Sequence, residues 1–143
     1  MRLYLDSAYV ANCYLPDPDG AKVRQMVRGE NELHSSAWCL AEMACLFHRQ
    51  IREKHLTRQQ VLQLEKHFYE DVENGVWTLW PVSEGLLRSV AAAARRLGSE
   101  VFLRTGDAIH LVTAGHAGFS EIWSNDRHLL RAAPHFGLRG RSV

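Results

Sequence analysis

Residues 3–10 read LYLDSAYV, an apolar strand-like run that passes through one carboxylate into a helix-like segment. Residues 2–5 suit a short strand, and Ser7 can cap a helix over 7–15. Asp6 therefore falls at the carboxyl end of the first strand. Outward from this unit the alternation repeats. Pro16, Pro18 and Gly20 break the chain before a polar helix near 19–29, and 32–35 reads as a second strand. Ser35 or Ser36 can cap a long, mostly apolar helix reaching about residue 53. Thr57 and Gln60 have capping-box spacing, Val61, Leu64, Phe68 and Val72 form one apolar stripe, and Gly75 ends that helix. VWTLWPV at 76–82 is strand-like. Ser83 opens an alanine-rich helix to about 98, and Thr105 caps another to about 118. EIWS at 121–124 is a fourth strand, Asp126 starts a short helix, and 138–143 can close as an edge strand. Such alternation predicts one α/β domain over 1–143, a three-layer α/β/α sandwich around a mostly parallel sheet.

The 143 residues suffice for a sizeable hydrophobic core, and a formal net charge of +1 excludes a uniformly basic coat. A nucleic-acid partner would have to meet a local patch. Cys13, Cys39 and Cys45 show no zinc-ligand spacing and read as reduced core thiols. The chain shows no basic-then-apolar leader and no apolar run of membrane-spanning length, so the expectation is a soluble cytoplasmic protein without a membrane partner.

Four acids stand in segments that otherwise read as buried: Asp6 in LYLDSAYV, Glu42 in AWCLAEMACLF, Asp107 in TGDAIHLV and Asp126 in IWSNDRHLL. Glu42 has five apolar residues on either side. In an open parallel sheet the functional crevice lies beyond the carboxyl ends of the strands. Asp6 follows its strand directly and Asp126 follows EIWS after one residue, while Glu42 and Asp107 lie in early turns of helices, so all four can converge at one rim. Taken singly, Asp107 has a plainer reading as a helix-dipole partner, Asp126 as a helix start and Asp6 as turn chemistry, whereas Glu42 would have to be a surface-facing glutamate with little polar face around it. Taken jointly, they predict a shared site. Carboxylates brought together repel unless cations neutralise them, and oxygen-only donors suit Mg2+ or Mn2+ rather than zinc. Phosphodiester hydrolysis is the chemistry such a site serves best.

The opening YLDSAYV, the glutamate helix, the GDAIHLVTA segment and the closing WSNDRHLL together resemble the PIN domain, and within it the VapC-type toxins of prokaryotic toxin–antitoxin pairs. The resemblance spans essentially the whole chain. It implies a PIN-like fold, a Mg2+- or Mn2+-dependent endoribonuclease, a homodimer and a cognate antitoxin. Carried over by position, Asp6, Glu42, Asp107 and Asp126 are the implied catalytic and metal-binding quartet. Ser124 stands where the family often has threonine, a hydroxyl that supports the metal-site carboxylates, and Ser7 is a second supporting hydroxyl. Ala8 departs from a frequent small polar residue.

Arg127, His128, Arg131, His135, Arg139 and Arg141 gather positive charge after Asp126. Arg127, Arg131 and Arg139 are the candidate contacts to RNA phosphates, although a solvated surface would look the same. His110 can touch substrate or a ligand carboxylate, or can be a satisfied core or interface histidine. Trp77 and Trp80 read as strand core. Apolar helices near 7–15 and 36–53 can expose a groove for a partner helix. Two other functions compete. A phosphatase or receiver-like domain would want a lysine near the metal, and the chain has only Lys22, Lys54 and Lys66. A catalytically silent PIN-fold module that binds RNA or protein is the non-enzyme alternative.

Overall fold

A computed structural model describes residues 1–29 and 31–143. Five short strands and seven helices alternate: β1 Arg2–Tyr4, α1 Ser7–Asn12, α2 Ala21–Val27, β2 Glu32–Ser36, α3 Cys39–Arg52, α4 Arg58–Glu73, β3 Trp77–Trp80, α5 Glu84–Arg96, α6 Thr105–His116, β4 Glu121–Trp123, α7 Arg127–Ala132 and β5 Arg139–Arg141. All pairings are parallel. β1 pairs with β2 and β2 with β3, while β4 pairs with β5. A parallel bridge between Leu5 and Trp123 joins the two sets, giving the order β3-β2-β1-β4-β5. Successive connections from β1 and from β4 leave in opposite directions. The crevice between β1 and β4 is therefore the topological switch point, where ligands bind in open α/β sheets.

Side chains alternate across the sheet, and the two faces are buried separately. Leu3, Leu5, Leu33 and Trp77 pack with Tyr9, Val10, Val23, Met43, Phe47, Val61 and Phe68, contributed by α1 to α4. Tyr4, Ile122 and Leu138 face the other way, onto Leu111, Ala114, Leu129 and Ala132 from α6 and α7, with Leu86 of α5 and Ile109 and Val112 of α6 alongside. This is the three-layer α/β/α architecture expected from the sequence. Phe47 is 2% exposed, and its truncation to alanine would cost about 3–5 kcal/mol.

The ends of the helices explain where the sequence reading held and where it slipped. Thr57 and Gln60 form a reciprocal capping box, and Ser83 caps α5 through the Leu86 N–H. Gly75, at φ 77°, supplies the left-handed residue that closes the turn after α4. The cap of α1 is Asp6, not Ser7: Asp6 Oδ1 accepts from the Tyr9 N–H, so Ser7 is already helical and its hydroxyl points elsewhere. Ser35 and Ser36 complete β2 instead of capping α3, which starts at Cys39 without a side-chain cap. Ser36 only receives the Trp38 N–H in the connecting turn. Thr105 is the first residue of α6, and its N-cap position belongs to Arg104. The helix anticipated over 7–15 closes at Asn12, and that anticipated near 19–29 is a 3-10 turn at Pro18–Gly20 followed by α2.

Candidate active site

All four acids line one cleft of about 870 Å³ at the carboxyl edge of the sheet. Ser7, Ala8, Trp38, Cys45, Arg104 and His110 line it with them. Asp6 comes from the end of β1 and Asp126 from the loop after β4. Glu42 and Asp107 come from the first turns of α3 and α6. α6 runs back toward the start of β4, which puts its amino end at this edge.

Asp6 and Asp126 are held in the same way. Each caps the helix that follows it with Oδ1: Asp6 takes the Tyr9 N–H at 3.0 Å, and Asp126 takes those of His128 and Leu129 at 2.8 and 3.1 Å. Their Oδ2 atoms are engaged by side chains. Ser124 donates to Asp6 Oδ2 at 2.5 Å and accepts the Asp126 N–H at 2.9 Å, so one fully buried hydroxyl ties both acids together. Arg104 in turn bridges Asp126 to Asp107, with Nε 3.0 Å from Asp107 Oδ2 and Nη2 on Asp126 Oδ2.

Glu42 has its own support. Ser7 donates to Oε1 at 2.9 Å, and His110 Nε2 lies 2.8 Å from the same oxygen. His110 is 2% exposed, and its Nδ1 lies 3.0 Å from the Tyr4 hydroxyl. Both ring nitrogens are thus engaged, Nδ1 by the Tyr4 hydroxyl and Nε2 by Glu42 and the Ser7 hydroxyl. Glu42 Oε2 and Asp107 Oδ1 have no hydrogen-bond partner among the described residues.

The electrostatics divide the acids into two kinds. Burial raises the Asp6 carboxyl above its usual range despite the hydrogen bond from Ser124. Asp107 is raised as well, by burial first, with Arg104 opposing and the Asp126 charge adding to the rise. For Glu42 burial also works upward, but His110 and Ser7 outweigh it and the carboxyl is lowered. Asp126 is lowered because backbone N–H groups and Arg104 overcome its partial burial. Two acids are thus stabilised as anions by the protein, and two are not.

Only Asp6 is buried outright. Glu42 keeps a third of its side chain exposed, because Ala41 and Cys45 beside it are small residues at the cleft surface and not core. Cys45 is accordingly an exposed thiol and Cys13 a half-buried one, and only Cys39 is buried as all three were expected to be. Arg127, Arg131 and Arg139 do not line the cleft. Arg127 and Arg131 are exposed on α7, and Arg139 and Arg141 both lie by Glu121 at the β5 edge. The basic residues that do line the cleft are Arg104 together with His48, Arg49 and Arg52 of α3. The sequence reading missed these four and Gly106. Arg104 had one signal available, its position three residues before Asp107.

Among the described residues, no three His, Cys, Asp or Glu side chains stand close enough to grip an ion as they are placed. The donor chemistry nevertheless fits a hard dication. The four acids offer carboxylate oxygens, His110 is already engaged by Glu42 and Tyr4, and Arg104 offsets part of their charge through Asp107 and Asp126.

The sequence matches the PIN domain family over residues 3–134, and the chain belongs to that family. No curated protein is a significant match. Among solved structures, it is similar to VapBC2 from Rickettsia felis bound to a DNA fragment from their promoter, at TM-score 0.70 and 12% identity, covering 100% of this chain and 99% of that one. FitAcB from Neisseria gonorrhoeae gives TM-score 0.71 at 13% identity, over 98% and 96% of the two chains. FitAB bound to the IR36 DNA fragment gives 0.67 at 16%, over 99% and 94%. At these identities the likeness is one of fold.

Proposed function

We propose that this PIN domain is a divalent-cation-dependent endoribonuclease, the toxin component of a toxin–antitoxin pair. The observation that carries the reading is the convergence of Asp6, Glu42, Asp107 and Asp126 on one cleft at the switch point of the sheet. These four residues would hold Mg2+ or Mn2+. Bound there, the cation lowers the proton affinity of water for attack on a phosphodiester and offsets charge on the leaving oxygen.

The chain's own residues prepare the site. Ser124 fixes Asp6 and the backbone of Asp126 relative to each other, and His110 with Ser7 fixes the glutamate. Such supporting contacts typically alter metal affinity 10–100-fold when removed. His48, Arg49 and Arg52 at the cleft wall would meet RNA phosphates, and Arg127, Arg131 and Arg139 would extend that contact beyond it.

A cognate antitoxin is supported by the similarity to VapBC2 and FitAB. The cleft offers a seat for it: Ala8, Trp38, Ala41 and Leu46 form an apolar strip beside the acids, suited to an amphipathic segment. A homodimer and a cytoplasmic location belong to the same reading. No helix among the described residues is long and apolar enough to cross a membrane. A catalytically silent PIN-fold module is the alternative, and the ion pairs of Arg104 with two of the acids are the observation in its favour.

Purified protein with Mn2+ should cleave structured RNA, and a chelator should stop it. Asp6→Asn and Asp107→Asn should lose cleavage while keeping the native circular dichroism spectrum. Undiminished cleavage in both variants would remove the assignment to these acids. Absence of cleavage by the wild-type protein, on total cellular RNA with Mn2+, would favour the silent module.

A further inference from the structure

Among the described residues, Arg104 is the arginine that forms ion pairs with the acids of the cleft. It stands at the N-cap position of α6, where its side chain makes no capping bond. Its guanidinium contacts Asp107 and Asp126 together, and both carboxylates raise its proton affinity further. The site therefore has a resident counter-ion that occupies two of the four carboxylates. We propose that Arg104 is an internal competitor for the divalent cation: loading the site exchanges the guanidinium for the ion at Asp107 and Asp126, and this exchange sets the cation concentration at which the site fills. The inference rests on the metal-dependent reading above.

The geometry gives Arg104 somewhere to go. Its side chain is about half exposed, so leaving the acids breaks no packing. Its guanidinium carbon already lies 6.0 Å from the centroid of the Phe102 ring, at the outer limit of a cation–π contact. Phe102 is 54% exposed, and its ring packs at a tilt against that of His128, with the centroids 4.2 Å apart. A modest rotation would exchange the carboxylates for that ring face. A buried arginine locked by several elements could not act in this way.

The test is a Mn2+ titration of the intact protein, read by the loss of the free-ion electron paramagnetic resonance signal, with no RNA present. Arg104→Gln should bind Mn2+ about tenfold more tightly than the wild type. Arg104→Lys should fall between them, because an ammonium cannot bridge both acids as a planar guanidinium does. Both variants should keep the wild-type circular dichroism spectrum, since the side chain is half exposed. Equal or weaker Mn2+ binding in a folded Arg104→Gln would overturn the exchange and leave the metal-dependent reading standing. No binding by either wild type or Arg104→Gln would overturn both.

Discussion

Nε2 of His110 lies 2.8 Å from Oε1 of Glu42, joining positions 68 residues apart in the chain. A fully buried imidazole on α6 thereby orients a half-buried carboxylate on α3, with Ser7 and Tyr4 completing the set. His110→Ala would leave the Tyr4 hydroxyl, itself 0% exposed, without that partner, at a cost of about 1–3 kcal/mol in unfolding free energy. It would also free Glu42 and weaken Mn2+ binding by about tenfold. Urea denaturation and a Mn2+ titration measure the two effects. Loss of stability with unchanged Mn2+ affinity would reduce His110 to a core residue.

Gly106 offers a way to disturb the same carboxylate without touching any acid. A Cβ at that position would lie 2.9 Å from Glu42 Oε2 and 3.4 Å from Trp38 Nε1. The nearest atom is the far end of a flexible side chain, so the backbone can stay in place while Glu42 moves. Gly106→Ala should melt within a few degrees of the wild type, yet bind Mn2+ and cleave RNA less well by about tenfold, as for other displaced metal supports. Wild-type activity in this variant would show that Glu42 is not needed in its present position.

Ser124 is predicted to matter through both of its hydrogen bonds. Ser124→Ala leaves the Asp126 N–H without its acceptor and takes a donor from Asp6, at roughly 1–3 kcal/mol. Ser124→Thr keeps the hydroxyl and should retain most of the activity. Thermal melts and RNA cleavage by the two variants, side by side, separate loss of the hydroxyl from simple repacking of the β4 end. Equal damage from both substitutions would point to repacking.

His34 predicts a pH dependence away from the site. Burial lowers its proton affinity from the ordinary imidazole value of 6.5, with Glu32 opposing and the Arg2 charge adding to the fall. It accepts the Trp80 indole N–H at Nδ1, and its Nε2 lacks a hydrogen bond although Glu32 Oε2 is 3.5 Å away. Below 6.5 the unfolded chain therefore binds a proton that the native protein resists. The stability present above pH 6.5 is lost as pH falls toward the lower native value. Urea midpoints should drop between pH 7.5 and 5.5, and the drop should be shallower in His34→Gln. An identical slope in the variant would assign the acid sensitivity to other groups.

The fold was legible because its signals are local and repeated: apolar runs of strand length, a capping box at Thr57 and Gln60, a cap at Ser83 and a glycine stop at Gly75. Caps failed where two polar residues stood side by side. Asp6 and Ser7 both suit the cap of α1, and tertiary partners decide between them: Ser7 is drawn to Glu42 and His110 while Asp6 takes the Tyr9 N–H. The four acids were legible because strand ends and helix starts of a parallel sheet meet at one edge. Apolar flanks overstated the burial of Glu42, since alanine and cysteine serve equally well to line a cleft. The spacing of Arg104 from Asp107 was too weak a signal to mark it. An arginine in a loop looks the same whether it faces solvent or bridges two carboxylates 3 and 22 positions away.

The most direct test is a crystal structure of the protein soaked in Mn2+, read by anomalous scattering at the manganese edge. The predicted result is a peak among the carboxylates of Asp6, Glu42, Asp107 and Asp126, at oxygen distances near ~2.1 Å, with Arg104 turned away from Asp107. A Mn2+-soaked crystal with no anomalous peak in the cleft, and Arg104 still bridging Asp107 and Asp126, would contradict it.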